Sequence, residues 1–338
     1  MELFSKNLSN KIYSILGNIE PILLKNITLS SHLILAPLAG ITHAPFRIVM
    51  QELGAGSCCS ELISCHGINY KNEKTLKMLA ISEKEKNSGI QLFGEDCDAL
   101  KAASSIAQKH GAKFIDLNMG CPVRKVVGKG GGASLMKEID KLPLLFRSLK
   151  KELSIPLTIK IRTGWDDKSL NAEQVVQIAE AENISLVTIH GRTKTQGYGG
   201  DVNWDYIEKI AQNSSIPVIG NGNLNTLEII SKQWSKTNCS ALMIGRGLLK
   251  NPFLILESLS DENIEFSPKD YLEVLFVLRD EMANYFDNSR VVDINLKKHA
   301  AWMAHGNHGS SQFREKLYTL KSMNEISDHI SNFFTTIP

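Results

Sequence analysis

Cys121 lies in "DLNMGCPVRKVVGKGGG" (residues 116–132), where an apolar run ending at Asn118 meets a Cys-Pro pair and a loop rich in bases and glycines. A thiol there could be a nucleophile, a metal ligand, a packed side chain or a proton donor. A nucleophile needs an activating base, and no Cys–His motif is legible around it. A metal ligand needs companions, yet the six cysteines (58, 59, 65, 97, 121, 239) form no CxxC pair and no zinc-like spacing with histidine. A packed thiol and a general acid that releases its S–H proton both remain. Lys160 and Arg162, in "KIRTGW", have the two-residue spacing that puts strand side chains on one face. Two cations buried together require anionic partners, such as a phosphate-bearing cofactor or a reduced, anionic ring. His190, in "HGR", can donate to the same ligand. "VIGNGN" (218–223) and "MIGRG" (243–247) each set glycine just after an apolar run, where backbone N–H groups can approach a phosphate. "GKGGG" is not a Walker A loop, because Lys129 is followed by Gly130 and not by Ser or Thr. It reads either as a mobile loop with glycine hinges, carrying Lys125 and Lys129 toward an anionic substrate, or as a merely solvated loop.

The elements needed to position these groups are short apolar runs alternating with amphipathic stretches. The runs are Leu33–Ala36, Ser57–Ser60, Ile90–Phe93, Phe114–Leu117, Leu157–Ile161, Leu186–Ile189, Pro217–Ile219 and Ala241–Ile244. Stretches such as "DALKAASSIAQKHGA" and "NAEQVVQIAEAENIS" separate them, with apolar residues at three-to-four spacing. Continuous apolar strands alternating with helices indicate a parallel sheet buried on both faces. Eight such units over roughly 225 residues predict a (β/α)8 TIM barrel. Polar residues crowd the ends of the runs: Pro37, Glu61, Gly94, Asn118 with Cys121, Arg162, His190 with Arg192, Asn221, and Gly245 with Arg246. In a barrel those ends share one face, where the chemistry sits, and a phosphate site recurs after the seventh and eighth strands. From Ser267 onward the strand pattern stops. Long amphipathic stretches follow, opened by a Ser267 N-cap and Pro268, and they predict a separate helical domain.

Hydrophobic content of 43% and charged content of 22% place the 338-residue chain among soluble globular proteins. A transmembrane span of about 18–20 apolar residues is absent, and "IYSILGNI" near the start lacks a cleavage site. Unpaired cysteines suit a reducing, cytoplasmic compartment. A net charge of +2 leaves any nucleic-acid surface to local clustering.

"LAPLAGITHAPFR", "QLFG", "DLNMGCPVRKV", "LTIKIRTGW", "TIHGRT", "VIGNGN" and "ALMIGRG" occur in the order and spacing of the tRNA-dihydrouridine synthases, and the chain most resembles the bacterial B-type branch. The resemblance runs from Leu33 to Phe253 and continues more weakly through "KKHAAWMAHG" and "FREKLYTLKS". It implies an enzyme that reduces the 5,6 double bond of uridines in tRNA with FMN, recharged by NADPH. Under it, flavin N5 delivers hydride to uracil carbon 6, and Cys121 is the acid that protonates carbon 5. The implied FMN contacts are Pro37, Leu38 and Ala39 beneath the ring, Gln91 and Lys160 on its polar edge, and His190 nearby. Asn221, Gly222, Asn223, Gly245 and Arg246 hold the phosphate, and Asn118 and Arg162 fall near the flipped uracil. Two positions depart from the family pattern: Leu38 replaces a usual methionine, and Asn223 replaces a usual aspartate. The organisation expected is an N-terminal extension (1–20) without assigned function, an FMN-binding barrel (21–255) and a helical tRNA-binding domain (256–338), acting as a monomer without metal.

Extruding a uridine from folded tRNA costs a few kcal/mol. Phosphate contacts from the helical domain would help offset this. From Arg290 to Lys321 six cations (Arg290, Lys297, Lys298, Arg314, Lys316, Lys321) face two acids, Asp293 and Glu315, a local excess of four. With Trp302 and nearby histidines, this suits a face that follows an RNA backbone. An FMN barrel acting on a small molecule would lack the need for that face, and a non-catalytic tRNA-binding factor would lack the flavin.

Overall fold

Hydrophobic patterning at two scales builds the molecule, and a computed structural model describes residues 3–262 and 264–337 of it. The outermost parts of the expected extension and helical domain (1, 2 and 338), and position 263, lie outside the described residues. Helix α1 (Lys6–Leu16), whose Ser5 cap accepts from the Leu8 amide, leads into an antiparallel hairpin of β1 (Ile22–Leu24) and β2 (Ile27–Leu29). The barrel strands are β3 (Leu33–Leu35), β4 (Cys58–Cys59), β6 (Ser88–Phe93), β7 (Ile115–Met119), β8 (Leu157–Arg162), β9 (Val187–His190), β10 (Val218–Asn221) and β11 (Ala241–Ile244), with β5 (Ile63–Ser64) pairing beside the end of β6.

These eight strands pair in parallel in the order β3-β11-β10-β9-β8-β7-β6-β4. The ring is nearly closed between β3 and β4, where the Gly56 amide donates to Leu33 O (2.8 Å) and the Leu35 amide to Ser57 O (3.0 Å). This is the expected TIM barrel. The "SCCS" run contributes just two paired residues because the hydrogen-bonded stretch shared with β6 is short.

Helices α2 (Ala44–Glu52), α3 (Cys65–Asn69), α4 (Glu73–Lys77), α5 (Cys97–Lys109), α6 (Arg124–Val127), α7 (Leu142–Glu152), α8 (Ala172–Ala181), α9 (Trp204–Asn213) and α10 (Leu227–Lys236) fill the connections. The short α11 (Gly247–Lys250) and α12 (Leu254–Leu259) follow β11. A large core joins the helices to the outside of the barrel, and a smaller one fills its interior near the strand starts. The hairpin, absent from the sequence reading, contributes Leu24, Ile27 and Leu29 to that inner core and stoppers the bottom of the barrel. Arg47 of α2 forms a buried fork with Glu85 (Nε–Oε2 2.6 Å, Nη2–Oε1 2.9 Å) and donates to Thr42 O, fixing the turn beneath the first strand's active-site end.

The C-terminal region is helical: α13 (Pro268–Tyr285), α14 (Ser289–Met303), α15 (Ser310–Thr319) and α16 (Met323–Thr336). Ser267 caps α13 in a capping box with Asp270. A second box, Ser322 with Glu325, divides the last expected amphipathic stretch into α15 and α16. Helix α13 packs on α2, and α14 on α11, so the region docks against the barrel beside the first and eighth strands. The N-terminal residues are no loose extension. Leu8, Ile12 and Ile15 of α1 are buried, and Lys11 pairs with Asp270 at 2.9 Å. No described helix is long and apolar enough to cross a membrane.

Candidate active site

Alternation along β7 turns Asp116 and Asn118 to one side of that strand, and pairing aligns Gln91 with Asp116 and Asn118 with Lys160. A chain of hydrogen bonds results. Thr158 Oγ1 and Gln91 Nε2 donate to the two Asp116 carboxylate oxygens at 2.5 and 2.7 Å. Asn118 Nδ2 donates to Gln91 Oε1 (2.9 Å), and Asn118 Oδ1 accepts from the Cys121 amide (2.9 Å) and the Gly120 amide (3.2 Å). Asp116 thereby fixes the backbone that carries the thiol. Burial pushes the Cys121 thiol up from its ordinary value, although the Val123 amide and the Arg162 charge oppose the shift. The thiol therefore holds its proton at neutral pH, as an acid must and a nucleophile must not.

Arg162, 3% exposed, donates through Nε to Gly120 O (2.7 Å) and through Nη1 to Thr193 O (2.7 Å) and Gly197 O (2.8 Å). These carbonyls satisfy the guanidinium's donors and leave its positive charge in place. Lys160 Nζ donates to Asn221 Oδ1 at 3.0 Å, and Asn221 Nδ2 donates to Met243 O at 2.7 Å. Burial, helped by Arg162, brings the Lys160 ammonium down to about 8, with Asp116 resisting. His190 is driven down to about 2 by burial and then by Lys160, Arg162, Arg192 and Arg246, so it stays neutral, and its Nδ1 is buried without a hydrogen-bond partner.

At the seventh and eighth strand ends, Gly222 (φ +138°) and Asn223 (φ +52°) turn the chain sharply. Gly222 is required there, since a Cβ would meet the Val202 side chain at 2.8 Å. At Gly245 a Cβ would meet Ala36 and Leu38 at 3.6 and 3.7 Å, ordinary van der Waals contact that leaves the Gly245 backbone close against the first strand's end. Arg192, 2% exposed, donates from Nη2 to Asn223 Oδ1 (3.0 Å) and to Gly200 O, while its Nη1 is buried and unpaired. The exposed Arg246 lies 5.3 Å from the centre of the Tyr198 ring, and Arg162 lies 5.7 Å from it. Pro37 and Leu38 are partly buried, and Ala39 is exposed. Thr42 bonds both backbone groups of Leu38, and Glu61 accepts from the Gly40 amide.

Residues 34–337 match the family model for dihydrouridine synthase (Dus). The chain belongs to the dihydrouridine synthase family. It is 32% identical over 318 residues to a probable tRNA-dihydrouridine synthase of Rickettsia conorii, covering 92% of this chain and 96% of that one. It is 33% identical over 314 residues to tRNA-dihydrouridine synthase B of Pasteurella multocida, covering 91% and 94%. Among solved structures it resembles histamine dehydrogenase from Rhizobium sp. 4-9 (TM-score 0.56, 14% identity, 80% of this chain and 51% of that one), a likeness of fold. As a dihydrouridine synthase the chain is an oxidoreductase.

Most residues expected at this synthase's site do converge: Gln91, Asn118, Cys121, Lys160, Arg162, His190 and Asn221 share the strand-end face. Three of the expected groups have partners within the protein. Gln91 is 1% exposed, and both ends of its amide are engaged inside the barrel. The "GKGGG" loop is folded down: Gly132 (φ +58°) would place a Cβ 2.8 Å from Cys121 O, so its glycine lets the loop pack against the thiol's backbone. Lys125 and Lys129 remain exposed on its rim. In the helical region Arg290 is exposed, Arg314 is partly buried, and the partly buried Lys297 donates to Leu320 O at the α15–α16 junction. Lys298 is close enough to act electrostatically on Glu61, His43 and His299. Asp116 and Thr158 were not singled out, although a carboxylate two positions before Asn118 was the available signal. Among the described residues, no group of three or more His, Cys, Asp or Glu could hold a metal.

Proposed function

We propose that this dihydrouridine synthase acts on uridines in tRNA, with FMN as its cofactor and NADPH as reductant. The observation that carries the reading is a half-buried Cys121 whose amide is held by Asn118, beside the desolvated Lys160 and the buried Arg162. The site's residues fit a flavin mononucleotide on structural grounds. His190 Nδ1 and Arg192 Nη1 are buried polar atoms without a hydrogen-bond partner. Pro37, Leu38 and Ala39 would lie under the ring, with Lys160, Gln91 and His190 toward its polar edge. Asn221, Gly222, Asn223, Gly245 and Arg246 would hold the phosphate, joined by Arg192, whose free donor suits an anion. With Asn223 in place of an aspartate, Arg192 keeps its full charge for that phosphate.

A reduced flavin held by these residues would be the hydride source for carbon 6 of the uracil ring. Cys121 gives its proton to carbon 5, leaving a thiolate that the nearby Arg162 charge stabilises until it is reprotonated. Asn118 positions the Cys121 backbone, and Arg162 holds the Gly120 carbonyl. The helical region, through Arg290, Lys298 and Arg314, and the rim lysines Lys125 and Lys129 would meet tRNA phosphates. All six cysteines are free, which suits the cytoplasm. The test is to measure dihydrouridine, position by position, in tRNA from cells lacking the gene, and again after complementation with wild type or Cys121→Ala. Loss restored by wild type alone supports the reading. Unchanged dihydrouridine in the absence of a redundant enzyme overturns it, and a colourless protein that cannot be reconstituted with FMN overturns the cofactor assignment.

A further inference from the structure

The loops after β7, β8 and β9 each send one residue to a single cluster. Lys137 lies 4.5 Å and Lys194 4.3 Å from the centre of the Trp165 ring. A cavity of about 420 Å3 opens beside them, bounded by Met136, Lys137, Trp165, Asp166, Ser169 and Asn171. Its size is that of a small-ligand or nucleotide pocket. Neither lysine has a carboxylate ion pair among the described residues. Two acids of these loops have other hydrogen-bonding partners: Asp166 accepts from Ser169 Oγ (2.7 Å) and the Lys168 amide (3.0 Å), and Glu138 pairs with Lys141 while feeling the Lys137 charge more weakly. Asn171 donates to Met136 O at 2.6 Å, and its Oδ1 is buried and unpaired.

The cluster is rigidly tied to the active site. The Lys194 amide donates to Gly164 O (2.9 Å) and the Thr195 amide to Trp165 O (3.0 Å), so the two loops form a ladder. Arg162 links the two loops, donating to Gly120 O just before Cys121 and to Thr193 O just before Lys194. Strands β7 to β9 are also the fourth to sixth of the barrel, diametrically opposite the first and eighth, where the helical region docks.

We propose that Lys137, Trp165 and Lys194 form a second RNA contact, which takes the strand flanking the flipped uridine, the two ammonium groups on the indole meeting its phosphates. The indole holds both cations by cation–π attraction without neutralising them, so they are oriented before the RNA arrives. The RNA is thus gripped on both sides of the mouth, by this cluster and by the helical region across from it. The inference rests on the tRNA reading above.

The experiment uses full-length protein with its bound flavin and an unmodified tRNA transcript, with affinity measured over a series of KCl concentrations. For Lys137→Gln with Lys194→Gln, we expect affinity to fall about tenfold at moderate salt, and the slope of log Kobs against log salt to become shallower by about 1–2, one per lost phosphate contact. Trp165→Leu should give a smaller loss of the same kind, and unchanged flavin content and Tm would show that the fold persists. Wild-type affinity and slope in the double variant overturn the proposal. So does a raised KM for NADPH with an unchanged salt slope, which would give the cavity to the dinucleotide. If the wild-type protein itself does not bind tRNA, the parent reading fails, and this one with it.

Discussion

Cys121 releases its proton more reluctantly than a free thiol because burial disfavours the thiolate. As a general acid it is active in the protonated form, so the rate of uracil reduction should stay level through neutral pH and fall above the ordinary thiol value of about 9. A rate that rises with pH through that range, measured in single turnover with pre-reduced enzyme, would instead mark a thiolate nucleophile. Cys121→Ala should keep flavin and tRNA affinity yet lose about 10²–10⁴ in turnover. Lys160 makes the complementary case. Its folded-state pKa, about 8, lies below the unfolded value of 10.5, so the unfolded chain binds more protons between these limits. The resulting cost to the flavin-free protein is fully present below pH 8 and disappears above 10.5. Lys160→Met should therefore raise the stability of flavin-free protein at pH 7 by up to about 3 kcal/mol while weakening flavin binding, as read by thermal unfolding and flavin titration.

At the scale of elements, the loop after β7 shows how far the sequence could be read. The strand, the turn at Cys121 and the glycine cluster were all legible, because apolar runs and glycines are local signals. The job of the glycines was not, because it depends on Gly132 meeting the Cys121 carbonyl across eleven residues of chain. The same limit explains Arg162, whose carbonyl partners come from two loops remote in sequence, and the hairpin, whose three-residue strands are too short for a periodic signal. Helix boundaries fared better where capping chemistry was explicit, as at Ser267. Gly132→Ala is the sharp test at this scale. It forces a left-handed residue, costing about 1–2 kcal/mol, and pushes Cys121 aside. Tm should fall modestly and turnover more than flavin affinity does, whereas an enlarged substitution on a mobile hinge would change none of these strongly.

For the whole molecule, docking of the helical region has an acid-sensitive centre. His43 of the barrel and His299 of α14 are both buried with ring centres 6.4 Å apart, among Phe46, Phe286 and Trp302. Burial holds His43 well below its ordinary value and takes His299 down to about 3, so both are neutral in the folded protein. Their unfolded forms gain protons below about 6.5, so stability contributed at higher pH is lost as pH falls beneath that value, by up to about 1.4 kcal/mol per unit for each histidine. Acid unfolding monitored by Trp302 fluorescence should begin in that window, and His299→Phe should move its onset to lower pH.

The β1–β2 hairpin has a kinetic consequence. With the bottom of the barrel stoppered, the strand-end mouth serves as the entrance, so on the proposed reading electron donor and RNA must use it by turns. Initial rates should then follow a double-displacement pattern, with parallel reciprocal plots as the second substrate is varied. Intersecting lines would mean that both can be bound at once.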